Sequence, residues 1–207
     1  MNDPAMKGSG LPRREDDTYD TIEAPRLVPA LLASGARVPD RLWEPHAGAG
    51  LLVEALRGAG RYVYASDIEP RADDIHVQDF LAAPEMPNGA TGIVMNPPYR
   101  GIDAHIRHAL DLTEPVGGAV AVLARSELSH AASRVPLFRD CRAFDRRVEL
   151  TWRPRWVEGT TGSPRHNFSW FCWDWQSCEF QPAVGWGVKP ANPPTPVMGS
   201  VTDAPKH

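Results

Sequence analysis

The tetrapeptide N-P-P-Y, Asn96 to Tyr99, follows the apolar run G-I-V-M at residues 92–95. Pro97 and Pro98 have no N–H to donate and hold the preceding residues extended, so the strand stops there and the emerging segment is stiff. The side-chain oxygen of Asn96 and a nearby backbone carbonyl can accept the two hydrogens of an amino group, while Tyr99 can stack on a planar substrate. This set suits methyl transfer to a conjugated amine. Paired acceptors hold the hydrogens as charge develops on nitrogen, and no strong side-chain base is needed. The plainer reading is a strand-ending proline turn capped by asparagine.

A second group lies upstream. Trp43 to Gly50 read W-E-P-H-A-G-A-G, and Asp67 lies in Y-A-S-D-I-E-P, 17 residues beyond Gly50. Glycines between a strand and a helix let the backbone turn sharply and approach a ligand, with the free N–H groups of the helix start facing it. A carboxylate ending the next strand can accept both hydroxyls of a ribose. Together the two features point to an adenosine-containing ligand; a tight turn and a surface acid are the bland alternative. The loop lacks the G-K-S or G-K-T that grips a nucleoside triphosphate and the third glycine of a dinucleotide fingerprint.

Short apolar runs alternate with helix-length stretches, the pattern of a mainly parallel sheet covered by helices. Helices are expected at 25–32, 50–57 and 102–112, and strands at 42–44, 61–66, 75–77, 92–95 and 118–124. The stretches 148–153 and 168–175 read as a strand pair whose connection is too short for a covering helix, and therefore as antiparallel. Trp170, Trp173 and Trp175 lie in the second of these, where some must be ordinary sheet or core residues.

The chain has 207 residues, enough for one well-buried core, with 42% hydrophobic and 23% charged residues and a net charge of −4 that names no partner. Cys141, Cys172 and Cys178 form neither a C-x-x-C pair nor an even framework, which suits a reducing cytoplasm. No signal-peptide core and no run of eighteen apolar residues is present. Residues 1–18 are polar and aperiodic and 181–207 are proline-rich, so both are expected to be flexible margins around a domain at 19–180.

From Arg134 to Arg165 there are eight arginines (134, 139, 142, 146, 147, 153, 155 and 165) against Asp140, Asp145, Glu149 and Glu158, a local charge of +4. Such a segment can grip a phosphate backbone if its arginines share a face. A solvated surface is the alternative.

With these motifs assembled, residues 19–175 resemble class I S-adenosylmethionine-dependent amino-methyltransferases, especially the adenine-N6 DNA enzymes in which a cofactor motif precedes N-P-P-Y. The resemblance implies an α/β, Rossmann-like class I methyltransferase fold: a mostly parallel seven-stranded sheet with a C-terminal antiparallel hairpin. It implies S-adenosyl-L-methionine as cofactor and the exocyclic N6 amine of adenine in DNA as acceptor, with base flipping to expose it. Tyr19 and Thr21, in Y-D-T-I-E-A-P, match the motif holding the methionine end of the cofactor. Glu44, His46, Gly48 and Gly50 match the glycine loop, and Asp67 with Ile68 matches the ribose-binding acid and its apolar neighbour. Asp79 matches the residue that addresses the cofactor adenine, with Phe80 beside that ring. Asn96, Pro97, Pro98 and Tyr99 match the amine-holding and base-stacking motif. Arg165, His166, Asn167 and Phe168 fall in the late loop that helps form the flipped-base pocket.

Plainer readings stand beside these: Phe80 as core, Thr21 as a helix cap, His46 as structural. No metal is expected. Only 108 residues follow N-P-P-Y, with no evident target-recognition domain. RNA adenine and a protein glutamine amide are the alternative acceptors, and a noncatalytic nucleic-acid-binding partner subunit is the alternative outside enzymology. A nucleic-acid enzyme should place the arginine segment beside Tyr99.

Overall fold

The computed structural model describes residues 20–87, 89–157, 159, 164–177 and 182–188. The expected N-terminal margin, Tyr19, and most of the C-terminal margin lie outside them. Eight strands form one sheet: β1 (Arg41–Glu44), β2 (Tyr62–Asp67), β3 (His76–Val77), β4 (Gly92–Met95), β5 (Ala119–Arg125), β6 (Phe144–Leu150), β7 (Phe168–Asp174) and β8 (Ala183–Gly187). Three α-helices accompany them among the described residues, α1 (Ala24–Ala33), α2 (Leu51–Gly58) and α3 (Ile102–Thr113). The strand order is β3-β2-β1-β4-β5-β7-β6-β8. The pairs from β3 to β5 are parallel, and β7 runs antiparallel to both β5 and β6. This is the Rossmann-like class I methyltransferase architecture.

Consecutive residues of the central strands enter opposite cores, which is why those strands read as unbroken apolar runs. Ile93, Met95, Val120, Val122 and Ala124 pack with α3 residues Ile106, Ala109 and Leu110. Val94, Ala121 and Leu123 pack with Leu27, Val28 and Leu31 of α1 and Leu52 and Leu56 of α2. The buried tryptophans retain partners for their indole N–H groups: Trp43 donates to Ser66 Oγ at 2.8 Å, Trp170 to the Leu27 carbonyl at 3.1 Å and Trp173 to the Leu137 carbonyl at 2.7 Å. Trp170 and Trp173 are thus core residues on opposite faces, each burying a large apolar area with its polar atom satisfied.

Two boundaries differ from the sequence expectation. β6 starts at Phe144 rather than near Val148 and ends at Leu150. Its arginines are accommodated because Arg146 pairs with Asp145 and donates to the Ser34 carbonyl, while Arg147 pairs with Glu149. The eighth strand, β8, lies within the stretch expected to be a flexible margin, and pairs in parallel with β6. Its A-V-G-W-G sequence carries a weak strand signal, yet the small residues let it lie close against α1.

Candidate functional site

The parallel strands β1, β2 and β4 all end at one edge of the sheet, and the strand order turns back between β1 and β4. Crevices at such reversals are the usual ligand sites of open α/β sheets. The glycine loop leaves β1 there, Asp67 ends β2, and N-P-P-Y leaves β4.

Gly48 and Gly50 have φ values of +52° and +84°, a left-handed backbone that other residues enter only with strain. The turn they make aims the Gly48 N–H at Asp67 Oδ2, 2.8 Å away, while Asp67 Oδ1 accepts the Glu69 N–H at 2.9 Å. Asp67 is therefore held by two backbone donors at the mouth of the crevice. Ile68, next to it, is 65% exposed, an apolar side chain open to a ligand ring. Asp79 caps the short turn Phe80–Ala82 by accepting the Leu81 N–H at 2.9 Å.

Phe80 takes the plainer of its two readings. It is 2% exposed, edge-on to Trp43, His46 and His108 and stacked with His105, so its ring packs within the core. His46 is half-buried in this cluster, with Nε2 meeting no donor or acceptor among the described residues. Among those residues no group of three His, Cys, Asp or Glu side chains is placed to hold a metal ion.

Glu44 is fully buried at the end of β1; Oε1 accepts the His46 N–H at 2.9 Å and Oε2 has no partner among the described residues. An orphaned, buried carboxyl oxygen beside the glycine turn fits a cationic ligand group such as an ammonium. Burial pushes this carboxyl well above the ordinary glutamate range, with the His46 N–H opposing and Asp67 adding to the rise. Burial, with His105 beside it, pushes the His46 imidazole down to about 3.

The signs of these shifts make a prediction. A carboxyl whose folded pKa is raised favours the protonated native state, so its contribution to stability declines as pH rises above the ordinary glutamate value of 4.5. An imidazole whose folded pKa is lowered contributes fully above the ordinary value of 6.5, and that contribution declines as pH falls toward the folded value. Between about pH 4.5 and 6.5 the two oppose one another. Relative to wild type, Glu44→Gln steepens the loss of stability on acidification through this window, and His46→Gln makes stability fall as pH rises. Urea unfolding at three pH values reads both, and unchanged slopes would refute the assignment.

Thr21 is 7% exposed, and its hydroxyl is not the helix cap: α1 has Glu23 at its N-cap position with no side-chain cap bond. Instead the Asn96 Nδ2 donates to Thr21 Oγ1 at 3.2 Å. That contact commits the amide nitrogen to Thr21 and sets which way the Asn96 carbonyl oxygen points. Pro97 is buried and Pro98 half-buried. Tyr99 packs against the α1-side core with Trp152 and Trp156 beside the same cluster, and the Arg125 guanidinium lies over its ring, 4.8 Å from the centroid.

Of the late-loop residues, Arg165, His166 and Asn167 are exposed, and Asn167 Oδ1 accepts the Arg153 Nε–H at 2.9 Å. Phe168 opens β7, is 3% exposed, and packs on Trp156 at 4.7 Å.

The arginine segment likewise divides. Arg134 pairs with Asp103, Arg139 with Asp140, Arg142 with Glu114, Arg146 with Asp145 and Arg147 with Glu149, so these five are committed to neighbours and form no shared basic face. Arg153 and Arg165 flank Asn167 at the Tyr99 end of the sheet.

Three features had no sequence signal, because their partners are far apart in the chain. Glu23 accepts the Trp152 Nε1–H at 2.9 Å and the Arg155 N–H at 3.2 Å, tying the stretch after β6 to the start of α1. Asp20 receives both terminal nitrogens of Arg71, at 2.5 and 2.8 Å, across the glycine turn. A Cβ on Gly48 would stand 2.6 Å from Arg71 Nη2, the movable tip of a long side chain, so it is the positive φ that calls for glycine there. The third is Arg125 over Tyr99.

No protein-family model matches the chain, and no curated protein matches it in sequence. Solved structures match its fold. A Listeria monocytogenes protein assigned as a class I S-adenosylmethionine-dependent methyltransferase superposes with a TM-score of 0.57 at 13% identity, over 85% of this chain and 67% of that one. A type I restriction-modification methyltransferase subunit from Streptococcus thermophilus gives 0.55 at 13% identity, over 82% of this chain and 47% of that one. A Pyrococcus horikoshii protein assigned as an RNA methyltransferase gives 0.55 at 12% identity, over 83% and 92%. The chain thus spans about half the length of the restriction-modification subunit.

Proposed function

We propose that the chain is an S-adenosylmethionine-dependent methyltransferase acting on the exocyclic N6 amine of adenine in DNA. The observation that carries this reading is N-P-P-Y at the carboxyl end of β4, with the Asn96 amide tied to Thr21 across the crevice from the glycine turn and Asp67. The donor set fits the cofactor: Asp67 for the ribose hydroxyls, the orphaned Glu44 Oε2 for the ammonium, Ile68 for the adenine face. When bound, the cofactor supplies an electrophilic methyl group on a sulfonium.

The chain's part is to hold the amine. Asn96 Oδ1 and the Pro97 carbonyl accept its two hydrogens, keeping the nitrogen aimed and favouring the positive charge that builds on it. The prolines keep the two acceptors from relaxing, and Tyr99 stacks on the base. The products are N6-methyladenine and S-adenosylhomocysteine, with the displaced proton passing to water.

Labelled methyl transfer to unmethylated duplex DNA, run beside structured RNA and mixed cytosolic proteins, tests the reading. Label in DNA recovered as N6-methyladenine supports it; label only in RNA or only in protein moves the acceptor while keeping the chemistry. Thr21 gives a finer test as a positioning residue. Thr21→Val is expected to lower kcat about fivefold with cofactor affinity within about twofold, and Thr21→Ser to restore it, because one hydrogen bond orienting an amide contributes about 1 kcal/mol. A loss confined to cofactor affinity would return Thr21 to the methionine end.

A further inference from the structure

Arg125 is the one exposed residue of β5, whose other six residues are buried. It stands at the carboxyl end of the strand beside β4, next to the segment that carries Tyr99. The β5–β7 register pairs it with Phe168, and the Ser126 N–H donates to the Asn167 carbonyl at 3.0 Å. This brings the exposed Arg165–Asn167 stretch to Arg125. Arg125 and Arg165 both lower the proton affinity of the His166 ring, behind its partial burial, as neighbouring cations do.

Among the described residues, Arg125, Arg153 and Arg165 make no ion pair with a carboxylate, whereas Arg134, Arg139, Arg142, Arg146 and Arg147 each do. Arg125 and Arg165 thus face the His166 ring together with one acid, Glu127, and Arg125 lies over the Tyr99 ring. A guanidinium in that position makes only a weak contact with an aromatic face. A phosphate, which it can grip with two parallel charge-assisted bonds, is the stronger partner.

We propose that Arg125 binds a backbone phosphate of the substrate: its guanidinium covers the Tyr99 ring in this conformation and exchanges the ring for the phosphate as a base takes the ring face. The proposal rests on the nucleic-acid reading above and adds the residue that selects a polyanion over an uncharged amide-bearing peptide. The exchange is easy in both directions because the ring contact is weak. Vacating the ring and engaging the phosphate happen together, so base stacking and backbone binding are coupled through one side chain.

The test uses the full chain, wild type with Arg125→Ala and Arg125→Lys, and follows binding of a fluorescent duplex oligonucleotide and of an RNA of equal length by anisotropy from about 50 to 200 mM salt. Cofactor affinity is measured in parallel by calorimetry. One phosphate contact contributes about 0.7–0.9 to the slope of log affinity against log salt. Arg125→Ala should flatten the slope by that amount and weaken low-salt binding about tenfold, with cofactor affinity unchanged; Arg125→Lys should restore the slope, since it restores the charge. An unchanged slope in Arg125→Ala, or a loss that falls on the cofactor, overturns the proposal. An Arg125-dependent slope on DNA or RNA without methyl transfer supports the phosphate contact and overturns the catalytic reading. Failure of wild type to bind either nucleic acid overturns the phosphate contact.

Discussion

Asn96→Ala lowers single-turnover methyl transfer by about 10²–10³, the usual effect of deleting one preorganised group aimed at developing charge, and leaves cofactor affinity within about threefold. The residue lies at the end of β4, and its amide nitrogen is engaged by Thr21 at 3.2 Å, so truncation removes an acceptor without opening the core. Asn96→Asp separates acceptor from amide. A carboxylate keeps an oxygen for the amine, and the Thr21 hydroxyl can turn to donate to it, so transfer is expected to stay within about tenfold of wild type. Quenched-flow transfer from labelled cofactor to duplex DNA reads both variants. Full activity in Asn96→Ala would remove the amine-holding role; loss of cofactor binding would move Asn96 to the cofactor's side of the crevice.

Asp67→Ala acts on the other partner. Its carboxylate is held by the N–H groups of Gly48 and Glu69 at 2.8 and 2.9 Å, and in the proposed complex it also accepts from the ribose. Hydrogen bonds to a charged acceptor contribute about 1.5–3 kcal/mol each, so losing the ribose contacts raises the cofactor Kd by about 100-fold or more. The freed Gly48 and Glu69 donors add a stability loss of about 1–2 kcal/mol, read by urea unfolding. Asp67→Asn presents either an oxygen or an amide nitrogen to the Gly48 N–H and recovers only part of the loss. The two sites then separate kinetically: Asp67→Ala recovers transfer at high cofactor concentration, and Asn96→Ala does not. An unchanged Kd in Asp67→Ala would exclude the ribose role.

The sheet was legible wherever local signals agreed. G-I-V-M bounded by glycine and proline is β4 at the expected residues, because a strand buried on both faces needs an unbroken apolar run and the prolines end it. The glycine turn was legible for a similar reason, since positive φ at Gly48 and Gly50 has few sequence solutions. β8 was not, because A-V-G-W-G has little strand preference and is formed by pairing with β6 and lying against α1. Phe168 and Phe80 looked like pocket residues by motif position, and only their neighbours Trp156 and Trp43 make them core.

By itself the sequence determined the order of elements from α1 to β7 and the presence of a glycine turn, a strand-end carboxylate and a proline-stiffened amide, all encoded within windows of a few residues. The tertiary structure alone decided which of these groups meet. Thr21 reaches Asn96 across 75 positions, Glu23 reaches Trp152 across 129, and Asp20 reaches Arg71 across 51. It also decided that five arginines of the late segment pair with acids while Arg125 lies over Tyr99. Local propensity carries no information about such partners, because side-chain pairing depends on which strand ends the fold brings to the same edge.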